Sequence, residues 1–474
     1  MNYVGTARPI HDAKGKATGY SKYAGDISLS NMAYLCMLHS KIPHGYVKAV
    51  HAEKALALPG VYGVYHCLNT SERKYNRYRS SFDQAYLANE ERAFNQYVRF
   101  VGDKIGAVAA CDQETAEKAA RLVEVEYEEL PFSIGFDDTL AGKNCLDGET
   151  PVRDEYELDV GEKQGNAEGL IEVCSTMELP RLHHATMETH ACIADYDPYS
   201  DMLTVYCPNQ AVHGIRTVLA DFLEMPESHV RVVKATMGGS FGAKQEWFLE
   251  PVTALVAKKL CRPVKLVYSR GEAMTDTIVR GAMRMSARGY YTPDGEMKEI
   301  YCDVTLDAGA YIGNAGDYVR ALAGKPTRCY RIPYMHYHGQ VISSNSPVSG
   351  AFRSWSAAEE ALMMERQLDA AAEKLGMDRL AIRLKNVARS GEEDKKLHLS
   401  LEDIRIGDAI TLGSEKFGWD KLKAEDAAFN ASQQRYRRGV GIGIGGHGNT
   451  YFPRFNDYGE GSISLNADGS MQAN

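Results

Sequence analysis

The sequence predicts an α+β protein with more than one domain, and three observations carry that prediction. An apolar run that alternates like a strand, 230–236, leads into Met237-Gly238-Gly239-Ser240-Phe241-Gly242-Ala243-Lys244-Gln245 and then into a helical stretch, 246–260. Residues 291–304 read as a hairpin turning at Pro293-Asp294-Gly295, whereas 357–375 reads as a long helix closed by Gly376. A length of 474 residues is enough for about three domains with sizeable cores.

The elements follow in order. Residues 17–131 mix short strands and helices. Within them 115–122 is Ala-rich and helical in pattern, and 123–127 alternates apolar and acidic residues as a half-exposed strand does. From Pro131 to about 165 periodicity fades and Gly, Asp, Glu and Asn accumulate, which marks a connecting segment. From 170 to 390 the chain reads α/β: a strand at 202–206, a helix at 212–223, the strand–loop–helix above and a strand at 264–268. Pro251 falls in the early turns of the predicted 246–260 helix, where it is either tolerated or bends it. Asp378 is placed to N-cap a further helix. Residues 390–438 are charged and helical or loop. A β region opens at Gly439, and 462–474 reads as a strand, an Ala467-Asp468-Gly469 turn and the start of a returning strand left unpaired. The expected divisions are 1–135, 136–168 as connector, 169–395 and 396–474.

Composition narrows the function classes. Apolar residues make up 44% and charged residues 25%, as in ordinary globular proteins. The net charge of −9 argues against a nucleic-acid surface. No apolar run approaches ~18 residues, so no membrane span is expected. Residues 1–16 are polar and lack the apolar centre of a secretion signal, and a cytoplasmic location is expected. None of the 10 cysteines forms C-x-x-C, so neither an iron–sulfur cluster nor a zinc ribbon is expected in this chain.

Several segments could carry chemistry. The glycine loop lets backbone N–H groups approach an anionic cofactor, with a helix N-terminus behind it. Its spacing is neither G-x-G-x-x-G nor a P-loop, and a tight turn without ligand is the alternative. In His183-His184-x-x-x-Glu188-x-His190, His184 and Glu188 would share a helix face, but the segment suits a strand equally. A hydrogen-bonded wall is preferred there to a metal site. Gly441-Ile442-Gly443-Ile444-Gly445-Gly446 resembles a phosphate loop, yet 447–453 breaks without a helix, so a glycine-rich strand passing close to another backbone is preferred. Gln210 follows a strand, where a capping or surface amide is the usual role. Arg353 lies between Phe352 and Trp355, where arginines commonly snorkel.

The glycine loop and Ser349-Gly350-Ala351-Phe352-Arg353-Ser354-Trp355-Ser356 together resemble the molybdenum-binding subunit of the xanthine dehydrogenase and aldehyde oxidase family. That family carries G-G-G-F-G-G-K and, further on, A-F-R-G-F-G. Here Ser240 and Ala243 replace glycines of the first loop, Ser354 and Ser356 replace glycines of the second, and Trp355 replaces the aromatic residue. Asp12-Ala13-Lys14-Gly15-Lys16-Ala17-Thr18-Gly19, Tyr23-Ala24-Gly25-Asp26, Pro43-His44, Leu58-Pro59-Gly60-Val61 and Val101-Gly102-Asp103 extend the likeness over most of the chain.

The resemblance implies an α/β-hammerhead domain over 1–135, a molybdenum-cofactor-binding domain over 169–395 and an incomplete second such domain over 396–474. It implies molybdenum–molybdopterin, in the cytosine dinucleotide form, with 2Fe-2S and FAD on partner chains and a separate chain carrying the remainder of the molybdenum domain. It places Gln210, Phe241 and Arg353 at the metal, the first as an amide donor to an oxygen ligand and the second through its backbone N–H. Gly239, Ser240, Gly242, Ala351 and Phe352 fall to the cofactor, Gln245 and Trp355 to the substrate; Trp355 reads equally as a core tryptophan. The base glutamate of the family finds no match and is expected beyond residue 474. Gln245 stands where mammalian xanthine-oxidising members have Glu, and their substrate arginine would fall at or beside Ala321, next to Arg320, so xanthine itself is disfavoured. The implied reaction inserts a water-derived oxygen into a purine, another aromatic N-heterocycle or an aldehyde. No cysteine lies between Ser349 and Ala358, against a carbon monoxide dehydrogenase reading. The alternative from another class is a non-catalytic fragment or assembly paralogue.

Overall fold

The computed structural model describes residues 4–78, 89–146, 150–163, 168–432, 435–448 and 461–473. Two sheets dominate. The larger runs, in spatial order, Val230–Lys234, Met202–Cys207, Ala191–Asp197, Val264–Val267, Ala33–His39, Lys104–Ala110, Val61–His66. Its N-terminal and central thirds are joined by parallel pairing of Ala33–Leu35 with Val264–Leu266, so one sheet spans the division expected at 135. Lys104–Ala110 is buried at every position, as a strand covered on both faces must be. The helices Val212–Leu223 and Glu250–Leu260 supply apolar side chains to the core of this sheet.

The second sheet is ordered Ile171–Leu179, Ala282–Tyr291, Met297–Asp307, Tyr334–Ile342, Val152–Gly161. The helix Ala357–Leu375 packs on it through Met363, Met364 and Leu368. Gly376 closes that helix at φ 64°, and the Asp378 side chain accepts from the N–H groups of Leu380 and Ala381, both as the sequence predicts.

Some expectations are corrected. The connector 136–168 contains the edge strand Val152–Gly161, paired antiparallel with Tyr334–Ile342. Tyr156, Leu158 and Val160 alternate inward, but acidic neighbours mask the pattern. The helix expected from 246 begins at Glu250. Residues 246–249 are held instead by distant contacts: Trp247 donates through N to Arg77 O and through Nε1 to Asn76 O. Pro251 therefore sits in the first turn, where its missing N–H costs nothing. Residues 439–448 contain no strand, although Ile442 and Ile444 pack on the second core and a Cβ at Gly446 would lie 2.6 Å from Cys329 Sγ. The expected approach to another backbone is not what these glycines make: the neighbours of Gly443, Gly445 and Gly446 are side-chain atoms of Glu365, Ala361 and Cys329. Residues 449–453, read as part of the break after this run, lie outside the described residues. Near the C-terminus Ile463–Leu465 and Met471–Ala473 pair with each other rather than leaving a strand unpaired. Among the described residues no helix is long and apolar enough to cross a membrane.

Candidate cofactor site at the junction of the two cores

Residues 237–245 and 349–356 meet where the two cores adjoin: Ala351 belongs to the first core and Trp355 touches both. Three contacts bind the loops together. Arg353 N donates to Phe241 O at 2.7 Å. Gly242, at φ 102°, lets Ala351 come so close that a Cβ would lie 2.6 Å from its carbonyl oxygen. Glu246 Oε1 accepts from Ala351 N at 3.4 Å and from Asn314 Nδ2 at 3.2 Å. Glu246 is fully buried, and burial pushes its carboxyl up to about 8.

The histidine segment forms the wall behind these loops. It is irregular, neither helix nor strand over 183–190. His184 Nε2 donates to Ala351 O at 2.8 Å and His190 Nε2 to Ala243 O at 2.9 Å, so each imidazole holds one loop. Burial lowers both to about 4, and the neutral ring with its proton on Nε2 satisfies both contacts. Glu188 Oε2 accepts from Gly238 N at 2.7 Å and Lys244 Nζ at 2.6 Å, clasping the first loop near both ends. His183 Nε2 faces Ala273 O and Thr277 Oγ1. These side chains hold backbone, as a hydrogen-bonded wall should.

The first loop leaves its middle donors unused. Among the described residues, the backbone N–H groups of Gly239, Ser240, Phe241 and Gly242 find no acceptor. The N–H groups of Ala243, Lys244 and Gln245 turn back to Ser240 O, Ser240 Oγ and Gly242 O. Gly239, Phe241 and Gly242 have φ of 103°, 53° and 102°. Successive free donors in a chain bent through the left-handed region form an anion-binding concavity. The helix behind the loop begins too late to contribute its N-terminus, so the loop itself carries the donors.

The structure brings Gln210, Gly239, Ser240, Phe241, Gly242, Ala351, Phe352 and Arg353 into this one region. Gln210 is tied to the first loop through its N–H to Lys244 O at 2.8 Å, and its side chain is exposed. Arg353 is exposed, and its guanidinium has no partner among the described residues. Phe241 is 51% exposed. Phe352 is sandwiched between the ring of His184, 4.2 Å between centroids, and the guanidinium of Arg280 at 4.3 Å. Gln245 is half-buried on the first loop. Trp355, half-buried, packs edge-on to Tyr318 at 5.3 Å. Arg320 pairs with Asp154.

Sequence reasoning missed Arg280, Asn314 and Glu246, which join loops far apart in the chain. Only Glu246 left a signal, an acid next to a run of apolar residues.

The residues present fit a large polar, anionic group. Besides the free N–H groups, the donors Ser349 Oγ and Trp355 Nε1, and Glu246 Oε2 while that carboxyl holds its proton, are buried without a hydrogen-bond partner among the described residues; the likewise unpaired His184 Nδ1, His190 Nδ1 and Asn314 Oδ1 are acceptors and suit the protonated polar parts of such a group. Such a concentration of unpaired polar atoms is unusual in a packed interior and common where a ligand belongs.

Comparison with known proteins agrees. Residues 152–387 match the molybdopterin cofactor-binding domain, and residues 18–131 match the a/b hammerhead domain of aldehyde oxidase and xanthine dehydrogenase. The xanthine dehydrogenase molybdenum-binding subunit of Escherichia coli O157:H7 is 29% identical over 97% of this chain, which spans 61% of that relative's length. The nicotinate dehydrogenase large molybdopterin subunit of Eubacterium barkeri is 29% identical over 80% of this chain and 88% of its own. The aldehyde oxidoreductase of Desulfovibrio desulfuricans ATCC 27774 shares the fold with a TM-score of 0.88, at 22% identity over 99% of this chain and 52% of that one. The two loops, the wall that fixes them and these two matched domains place the chain in the molybdenum hydroxylase family, among its molybdenum-binding subunits.

Proposed function

We propose that this chain holds the molybdenum–pterin group of a multi-subunit hydroxylase acting on a small aromatic N-heterocycle, such as a purine, or on an aldehyde. The observation that carries the reading is the run of four N–H groups at 239–242 without an acceptor among the described residues, with the guanidinium of Arg353, likewise without a partner among them, on the adjoining loop. When bound, the group supplies a two-electron redox centre for hydroxylation with water-derived oxygen. Phe241 and Gln210 offer neutral donors to its oxygen ligands, and Gly239, Ser240, Gly242, Ala351 and Phe352 shape the loops around it. Gln245 and Trp355 face the substrate side in this reading. The neutral amide at 245 can hydrogen-bond a heterocycle but cannot accept a proton as the glutamate of the resembling xanthine-oxidising members does, so xanthine itself is disfavoured.

The cofactor form proposed is the cytosine dinucleotide, with iron–sulfur and FAD subunits as partners in the cytoplasm. A partner chain is proposed to carry the base glutamate, which no residue of these 474 matches. Metal analysis and nucleotide release on the natively purified complex test the reading. Near-stoichiometric molybdenum and released cytidine monophosphate are expected, with no turnover by the isolated chain. A complex free of molybdenum would leave the non-catalytic alternative standing.

A further inference from the structure

Ser240 stands where glycine is usual in the resembling family, and the structure shows what its hydroxyl does. Ser240 Oγ donates to Gln210 Oε1 at 2.6 Å and accepts from Lys244 N at 3.2 Å. A hydroxyl has one proton to give. With Lys244 N–H directed at its oxygen, that proton goes to Gln210, and only the carbonyl end of the amide can receive it. The reverse orientation would set Gln210 Nε2 against Ser240 Oγ as a second donor and leave the hydroxyl proton without a protein partner among the described residues. Amide orientation is assigned by this kind of network. The backbone closes the ring, because Gln210 N donates to Lys244 O at 2.8 Å. With Oε1 engaged, both protons on Gln210 Nε2 remain free, and that nitrogen has no partner among the described residues. The side chain costs no backbone strain, since Ser240 is absent from the residues with left-handed φ.

We propose that Ser240 is a positioning residue: it turns the Gln210 amide so that the donor end, rather than the carbonyl, faces the bound group. This deepens the proposed function and rests on it for the identity of that group. The orientation itself is a property of the chain alone.

Two measurements test it. In the full chain labelled with 15N-glutamine, the Gln210 side-chain amide is assigned by its loss in Gln210→Ala, and its relaxation is then followed in Ser240→Ala and Ser240→Thr. Ser240→Ala should make the amide mobile, and Ser240→Thr, which keeps the hydroxyl, should restore the order. In the complete complex Ser240→Ala should lower kcat by roughly three- to tenfold, the effect of one hydrogen bond, at unchanged molybdenum content. The same substitution should add nothing in a Gln210→Ala background. An amide equally ordered in Ser240→Ala, or a loss of activity that persists in the Gln210→Ala background, overturns the inference. A complex without molybdenum defeats the proposed function instead, while the amide measurement still decides the role of Ser240.

Discussion

Glu188→Ala is the most demanding test of the wall behind the first loop. Glu188 is paired with Lys244, whose side chain is 1% exposed, at 2.6 Å, and also receives Gly238 N. Burial lowers the pKa of Lys244 and Glu188 opposes that shift. Removing Glu188 strands a buried ammonium and a backbone donor. Breaking a buried pair from one side costs about 3–5 kcal/mol, most of it the uncompensated charge. A chain of 474 residues unfolds with an entropy near 1 kcal/mol per kelvin, so the midpoint should fall by about 3–5 °C. Differential scanning calorimetry gives that shift, and hydrogen exchange on peptides covering 237–245 shows whether the loop loosens. The control is Glu188→Ala with Lys244→Met. Removing the stranded charge should recover most of the loss, leaving about 1 kcal/mol for the unpaired Gly238 N–H. A single variant within 1 °C of wild type, or a double variant no more stable than the single, refutes the role given to this pair.

Three further outcomes are expected. Ser354→Gly should raise the midpoint slightly, because left-handed backbone costs about 1–2 kcal/mol in serine, against ~0.5–1 kcal/mol of added chain entropy for glycine; Ser354 has φ 71°. Ala243→Gly, buried and without left-handed φ, should lower it, and equal signs in calorimetry would contradict the assignment. Glu246 keeps its proton in the folded chain up to about 8 against a usual value of 4.5, so stability should fall as pH rises between these values, by up to about 1.4 kcal/mol per unit. Urea midpoints from pH 5 to 8 should fall less steeply in Glu246→Gln; the like contribution of Glu360, also raised to about 8 by burial, and the opposing histidine contribution, confined to the interval from about 4 to 6.5, are common to both proteins. Parallel profiles would mean the carboxyl titrates normally. In the complete enzyme Gln245→Glu should re-rank kcat/KM across purines, pyridine carboxylates and aromatic aldehydes by roughly tenfold or more at equal molybdenum loading; an unchanged ranking removes residue 245 from the substrate.

Local signals were legible where local physics decides. The helix Val212–Leu223, the helix Ala357–Leu375 with its Gly376 cap and the Asp378 cap follow from periodicity and capping chemistry alone. The first loop was visible as a glycine-rich departure from periodicity, and the second, with Gly350 alone, through its likeness to the family's A-F-R-G-F-G. Illegible features depend on partners remote in sequence. The start of the helix at Glu250 is displaced because Trp247 bonds to Asn76 and Arg77, about 170 positions earlier. The strand Val152–Gly161 looked like a connector because its outward positions are mainly acidic, and only its pairing with Tyr334–Ile342 makes it a strand. Arg280 over Phe352, and Glu246 between Asn314 and Ala351, are tertiary contacts with no periodic trace.

The four replaced glycines show how one sequence observation divides once backbone angles are known. Ser240 and Ala243 are not left-handed, so side chains there are free of backbone strain, and at 240 the hydroxyl takes up hydrogen bonds a glycine could not make. Ser354 and Ser356 lie at φ 71° and 59°, where glycine would be relaxed and serine is strained by about 1–2 kcal/mol each. Neighbouring contacts hold that strain in place. Ser354 O accepts from Ala357 N and Ala358 N at the start of the long helix, and Ser356 Oγ accepts from Lys325 Nζ at 2.7 Å. Lys325 is itself buried enough for its pKa to be lowered to about 8, so it pays a desolvation cost that this contact helps offset. Backbone strain that survives in a sequence is held by its surroundings and gathers at ligand clamps. Here it flanks Arg353, whose guanidinium has no partner among the described residues.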